Sequence, residues 1–328
     1  MSLMGLPVFC DAPFEFAPGQ PMWYCNQLFI QYHLAFDRYF EAEDRLAQMK
    51  ADFRQLCNRI GDGTVVMYTH PVRLFTQKFA DNFRHGRNIP KAKWVPAPMR
   101  PRAQIEELIR DFEAFVRYVA GEGIEVIDYR RLYEQYRETQ RWIDRATLTR
   151  LAEKIQAELN YQIVNGVAYS PAEIFGVIVF ALDGYQKTGE LPWEVPVRRL
   201  LGPTRVLKFE EAGEPVGVDA LLQQAGEINA ALTEERRVPA VVVIEHRPIA
   251  PGSFLKAAAQ VLQTIATGAS LPTHLSLDLK GREPAIVQRS DFSEMGFGWS
   301  MFYPGFEGER VVEMAKLQAW TAKPALRR

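Results

Sequence analysis

Two stretches in the second half of the chain follow one plan. Ser170-Pro-Ala-Glu-Ile-Phe opens an apolar helix that reaches Thr188-Gly189, and Leu191-Pro192-Trp-Glu-Val-Pro-Val197 follows. Ala250-Pro-Gly-Ser-Phe opens another that reaches Thr267-Gly268, and Leu271-Pro272-Thr-His-Leu-Ser-Leu277 follows. Pro171 to Pro192 and Pro251 to Pro272 have the same separation. A weaker third copy lies between them, from Val218-Asp-Ala-Leu-Leu to Val238-Pro239-Ala-Val-Val-Val-Ile244. Each unit reads as helix, tight turn, proline, strand. A proline removes a ladder donor only at the start of its strand, where this is tolerated. Units that cannot bury an apolar face alone must stack on one another.

The first half has a different texture. Prolines and glycines interrupt residues 7–30, so that region reads as strand and loop. Leu34, Tyr39, Leu46, Met49, Phe53 and Leu56 recur at helical spacing, which predicts a helix over 33–60 ending at Gly61-Asp-Gly63. Thr64-Val-Val-Met-Tyr-Thr-His70 is a nearly continuous apolar run, the pattern of a parallel strand covered on both faces. Residues 71–100 lack periodicity. Pro101 to Ala120 carries a clear apolar face of Ile105, Leu108, Ile109, Phe112, Phe115, Val116 and Val119. Ile124-Glu-Val-Ile127 reads as a second strand. The order strand, long loop, helix, strand predicts a crossover unit of a parallel sheet or barrel. The expected fold is therefore α/β: a partial parallel (β/α) barrel-like unit in residues 1–140, then helix–turn–strand repeats in 141–328. Residues 140–168 read as a charged helical connector ending at Asn165-Gly166.

Composition excludes several classes. At 328 residues with 47% apolar and 24% charged residues, the chain is of ordinary globular make-up rather than disordered or fibrous. A net charge of -1 provides no global field for nucleic acid or anionic lipid, so neither is expected as a partner. The apolar runs are too short for a membrane-spanning helix. Cys10, Cys25 and Cys57 are odd in number and match no zinc spacing, which reads as idle thiols. No secretory signal opens the chain. Instead Pro7-Val-Phe-Cys-Asp11 comes almost at once and reads like the middle of a sheet. The chain is therefore expected to be the later part of a longer protein.

His70 is the leading candidate for chemistry. It sits at the end of a strand, where loops build the sites of α/β barrels, and histidine is a residue type suited to general acid or base work near neutral pH. By position alone it is equally well a core histidine bonded to backbone. His85 lies in the basic patch Arg84-His85-Gly-Arg87, within the long loop that also holds Trp94. His33, His246 and His274 read as structural. No His-x-x-x-His, Cys-x-x-Cys, glycine-rich phosphate loop or Gly-x-Ser-x-Gly elbow is present, so no metal ligands are assigned. Trp23, Tyr24, Trp94, Trp193, Trp299, Phe302, Tyr303 and Phe306 lie near glycines and prolines. Exposed aromatic faces of that kind suit stacking on sugar rings, although for any one of them a small core under a loop is the plainer use.

Residues 63–135 resemble the last strand–helix–strand of the polysaccharide deacetylase superfamily. That family ends a hydrophobic strand in Leu-x-His; Val65-Val66-Met67-Tyr68-Thr69-His70 stands here, with Tyr68 in place of Leu and Pro71 following. The resemblance implies a distorted α/β barrel that hydrolyses N-acetyl groups on a sugar polymer, with His70 as the general acid that protonates the leaving amine. Asp11 is matched to a later acidic position of the family's site, and the expected substrate groove involves Asp11, the loop residues Arg84, His85, Arg87 and Trp94, and the aromatic Trp23. The family's Asp-Asp pair and metal-binding His-x-x-x-His are missing. No cofactor is thus expected in this chain, with a divalent metal such as zinc in a full-length enzyme. Thr188-Gly-Glu-Leu-Pro192 and Thr267-Gly-Ala-Ser-Leu-Pro272 resemble pseudomurein-binding repeats of cell-wall proteins, which implies a polysaccharide or cell-wall glycan as partner. An extracytoplasmic location follows if the resemblance holds and an upstream signal exists. The alternative is a glycan-binding protein without catalysis.

Overall fold

In a computed structural model, residues 8–10, 14–78, 96–206, 214–279, 282–292 and 308–327 are described. They form a mixed α/β structure in which the strands are gathered into small sheets. The N-terminal strands β1 (Val8–Cys10), β2 (Met22–Tyr24) and β3 (Gln27–Ile30) lie in one sheet. There β3 runs parallel to β1 and antiparallel to β2. Cys25 and Asn26 join β2 to β3 with φ of 50° and 59°, as a tight right-twisted hairpin requires.

Next come β4 (Leu34–Ala35), a 3-10 turn at Phe36–Tyr39, α1 (Arg45–Ile60) and β5 (Met67–Tyr68), which pairs with β4 in parallel. The helix predicted over 33–60 thus begins only at Arg45. Leu34 and Tyr39 share the helical spacing by coincidence, and are buried from a strand and a 3-10 turn instead. A short α2 (Pro71–Phe75) leaves β5. The amphipathic helix is α3 (Arg102–Gly121), which sets Leu108, Phe115 and Val119 against Phe53 and Leu56 of α1. Burying a side chain such as Phe115 contributes roughly 1.5–3 kcal/mol. Ile124–Ile127, expected as a strand, forms none and pairs with no strand among the described residues. Val126 is exposed, and no neighbouring edge is hydrogen-bonded to this run. α4 (Tyr129–Tyr136) follows.

Residues 141–197 pass through β6 (Arg141–Asp144), α5 (Arg145–Ala157), β7 (Gln162–Val164), β8 (Val167–Tyr169), α6 (Pro171–Thr188) and β9 (Glu194–Val197). Residues 216–275 take the same order: β10 (Val216–Gly217), α7 (Val218–Glu235), β11 (Val242–Ile244), β12 (Arg247–Ile249), α8 (Pro251–Ala266) and β13 (His274–Leu275). Within each set the first and last strands pair antiparallel, and the middle two form a hairpin. The connector expected over 140–168 is therefore a strand, a helix and a hairpin. Asn165 and Gly166 form its turn with φ of 52° and 74°, the left-handed pair that an Asn-Gly hairpin turn adopts. α6 packs on α7, α5 on α8, and α6 crosses α8, which encloses the largest apolar core.

α6 starts cleanly. The Ser170 hydroxyl accepts from the Glu173 amide, the Glu173 carboxylate accepts from the Ser170 amide, and Pro171 fills the first turn, where its missing N–H costs nothing. After α9 (Ile286–Arg289) and α10 (Gly308–Gln318), the chain returns as β14 (Lys323–Pro324) to pair with β2. The last strand is thus part of the N-terminal sheet. Among the described strands, parallel pairing is confined to β1–β3 and β4–β5, and no barrel closes.

Candidate functional site

The two strands of the β4–β5 pair run in the same direction, with Leu34 opposite Met67 and Ala35 opposite Tyr68. Their carboxyl ends therefore lie side by side. Asp37 follows β4 by two residues and His70 follows β5 by two. This is where ligand sites of α/β sheets tend to lie, because the loops diverge there. The His70 Nδ1 atom is 3.1 Å from Asp37 Oδ2, with 34% of the histidine side chain and 12% of the aspartate side chain exposed. A carboxylate at Nδ1 holds the ring in one orientation with the proton on Nδ1, and it directs Nε2 elsewhere as the reactive nitrogen.

Other side chains complete the site. Tyr68 meets the His70 ring edge-on at 5.4 Å, and Tyr32 packs on Tyr68 at 4.5 Å. Asp37 Oδ1 and Thr69 Oγ1 are buried without a hydrogen-bond partner among the described residues. An acceptor left in this state costs free energy. The fully buried Arg100 side chain is bonded to Glu41, and Arg73 lies 3.7 Å from the same carboxylate. The bond from Arg100 holds the Glu41 carboxyl below its usual range. Gln77 and Arg100 bond through their amides to Pro98 and Phe75.

His33 is a different kind of histidine. Its Nδ1 accepts from the Val66 amide at 3.0 Å, and its Nε2 meets Glu15 at 3.1 Å. With both nitrogens committed and the ring buried, it ties β4 to β5 and to residue 15. It lies just before β4 rather than in the helical segment expected.

Of the sequence candidates, His70 stands at the end of its strand. Trp23 is corrected: it is a core residue, 3% exposed, edge-on to Tyr133 and covered by Arg199, because β2 lies inside its sheet between β3 and β14. It offers no face to a groove. Asp11, Arg84, His85, Arg87 and Trp94 lie outside the described residues, as do Trp299, Phe302, Tyr303 and Phe306. Trp193 is 76% exposed, with the Arg145 guanidinium 4.1 Å from the centre of its ring. Asp37 was missed, because the helical reading of 33–60 concealed a strand end. The visible signal was the order strand, helix, strand around Gly61-Asp-Gly63.

No three side chains of His, Cys, Asp and Glu converge as metal donors among the described residues. The described residues around His33 and His70 therefore present no donor set for a divalent metal. No helix among the described residues is long and apolar enough to cross a membrane. No protein family, curated protein or solved structure matches the chain.

Proposed function

We propose that the chain is part of a carbohydrate-active protein of the metal-dependent polysaccharide N-deacetylase kind, and that on its own it does not release acetate. The observation that supports this is the His70–Asp37 pair at the carboxyl ends of two parallel strands. In this reading the Nε2 atom of His70 faces the N-acetyl group. Nε2 takes up the proton that the attacking water releases as its C–O bond forms and, as general acid, gives it to the amide nitrogen as the C–N bond breaks, while Asp37 keeps the ring in place through Nδ1. Any divalent metal, and the groups that hold it, are supplied from outside the described residues. The doubled strand–helix–hairpin–helix–strand arrangement serves as a polymer-binding module of the pseudomurein-binding kind.

The test is titration with N-acetylated chito-oligosaccharides, together with acetate release in added zinc. The reading expects binding that weakens in His70→Ala and Asp37→Asn at unchanged melting temperature, and no acetate from the chain alone. Acetate release that His70→Ala abolishes would show a complete active site in this chain. A loss of stability in both variants, with no oligosaccharide bound by the parent, would make His70 a core residue and overturn the proposal.

A second reading, a glycan-binding protein without catalysis, is favoured by Trp193. Its ring is largely exposed and backed by Arg145, whose side chain is held by the Leu191 and Pro192 carbonyls. Such a fixed aromatic face suits a sugar ring. Loss of co-sedimentation with insoluble polysaccharide in Trp193→Ala would support it, with His70→Ala binding as the parent does.

A further inference from the structure

A second site lies where the N-terminal sheet meets the helical half, in a cleft of about 500 Å³. That volume is within the range of small-ligand sites. Four arginines line it, Arg141, Arg198, Arg199 and Arg236, against two carboxylates, Glu138 and Glu173. Both carboxylates are already engaged. Lys323 lies 2.9 Å from both oxygens of Glu138 and 2.8 Å from both of Glu173. Arg141 lies 3.3 Å from Glu138 and 3.4 Å from Glu173. Lys323 and Arg141 thus match the two negative charges of the floor.

The other three cations carry excess charge. Arg198 bonds to the Asn229 amide oxygen rather than to a carboxylate. Arg199 donates to the Glu138 main-chain oxygen at 2.9 Å and is 4.0 Å from that residue's carboxylate. Arg236 forms no ion pair among the described residues and sits at the left-handed end of α7, with φ of 52°. Three of the four guanidinium groups are also stacked on rings: Arg141 on Tyr169 at 5.0 Å, Arg198 on Phe180 at 5.3 Å and Arg199 on Trp23 at 5.3 Å. Stacking holds the plane of a guanidinium and leaves its N–H edge for bidentate contact, so less entropy is lost when an oxyanion arrives. This concentration of positive charge occurs in a chain whose net charge is -1.

We propose that this cleft binds an oxyanion group, carboxylate or phosphate, carried on a sugar-sized ligand. Arg198, Arg199 and Arg236 make the contacts, and the Glu138–Lys323–Glu173 cluster forms the floor. The proposal does not depend on His70 or on deacetylase chemistry.

The experiment is calorimetric titration of the full chain with three probes: pyrophosphate, a galacturonic acid disaccharide and neutral chitobiose. At least one anionic probe is expected to bind, with affinity that falls as salt is raised. Pyrophosphate alone would identify phosphate, and the galacturonate alone would identify a carboxylated sugar. Arg236→Asn, which keeps a residue tolerant of positive φ, and Arg199→Gln are each expected to weaken that probe about tenfold at an unchanged melting temperature. Failure of both anions to bind overturns the proposal. So does equal binding of chitobiose, or unchanged affinity in Arg236→Asn and Arg199→Gln.

Discussion

Lys323 is the residue whose removal is expected to do most damage for its size. Its side chain is only 3% exposed, and its ammonium lies between Glu138 and Glu173, the latter also 3% exposed. Lys323→Met keeps the length and apolar stem but deletes the charge. Breaking a buried ion pair by removing one partner costs about 3–5 kcal/mol, because the remaining charge is left uncompensated. Two features place this case at the lower end, at about 3 kcal/mol. Arg141 still neutralises part of the acid pair, and Glu173 still accepts from the Ser170 amide. The apolar gain is small, since the lysine stem is already buried. Urea denaturation gives the loss. Hydrogen exchange of the residue 321–325 amides shows whether β14 detaches from β2 before the rest unfolds. Adding Glu173→Gln removes the orphaned charge, so the double variant is expected to recover about 1–3 kcal/mol relative to additivity. A loss below about 1 kcal/mol, or strict additivity, would refute the idea that the cluster is a buried and mutually dependent one.

Three further outcomes are expected. Gly252→Ala is expected to destabilise by about 1–3 kcal/mol in thermal melts, since a Cβ there would lie 2.2 Å from the Arg282 carbonyl oxygen, a backbone atom that cannot step aside cheaply. Burial pushes the Cys25 thiol up to about 12 and also raises Cys57, so peptide mapping after brief alkylation at pH 8 is expected to find Cys25 unmodified in native protein and modified in urea. The Asp144 carboxyl accepts from the Thr147 amide at the start of α5, which holds it below its ordinary value of 3.8. A depressed folded value gives stability that is present above pH 4 and is lost as pH falls further. Asp144→Asn keeps the cap and is expected to flatten that acid limb in pH-dependent melts.

Much of the helical framework could be read from the chain. The α3 stripe of Leu108, Phe115 and Val119, and the Pro171 and Pro251 helix starts, follow from spacing and from the missing proline donor. What failed was pairing. Ile124–Ile127 has strand composition but no edge to bond, and Leu34 to Tyr39 mimics helical spacing across a strand and a 3-10 turn. Asn165-Gly166 carries the signal of a hairpin, but the flanking strands β7 and β8 have only three residues each. In the candidate site, His70 was visible because a histidine ending an apolar run is a local signal. Asp37 and Lys323 were not, since each acquires its role from partners 33 and 150 residues away in sequence. Trp23 was misread for the same reason: a local aromatic–glycine pattern does not reveal that β14 returns from the far end of the chain to cover it.

The account depends most on Asp37 orienting His70. Two-bond proton–nitrogen correlation spectra of the imidazole rings report the tautomer of each histidine directly. The account predicts a proton on His70 Nδ1, a shift of that resonance toward the other tautomer in Asp37→Asn, and a response of its Nε2 signal to an added N-acetylated chito-oligosaccharide. A His70 protonated on Nε2, indifferent both to Asp37→Asn and to the oligosaccharide, would contradict it.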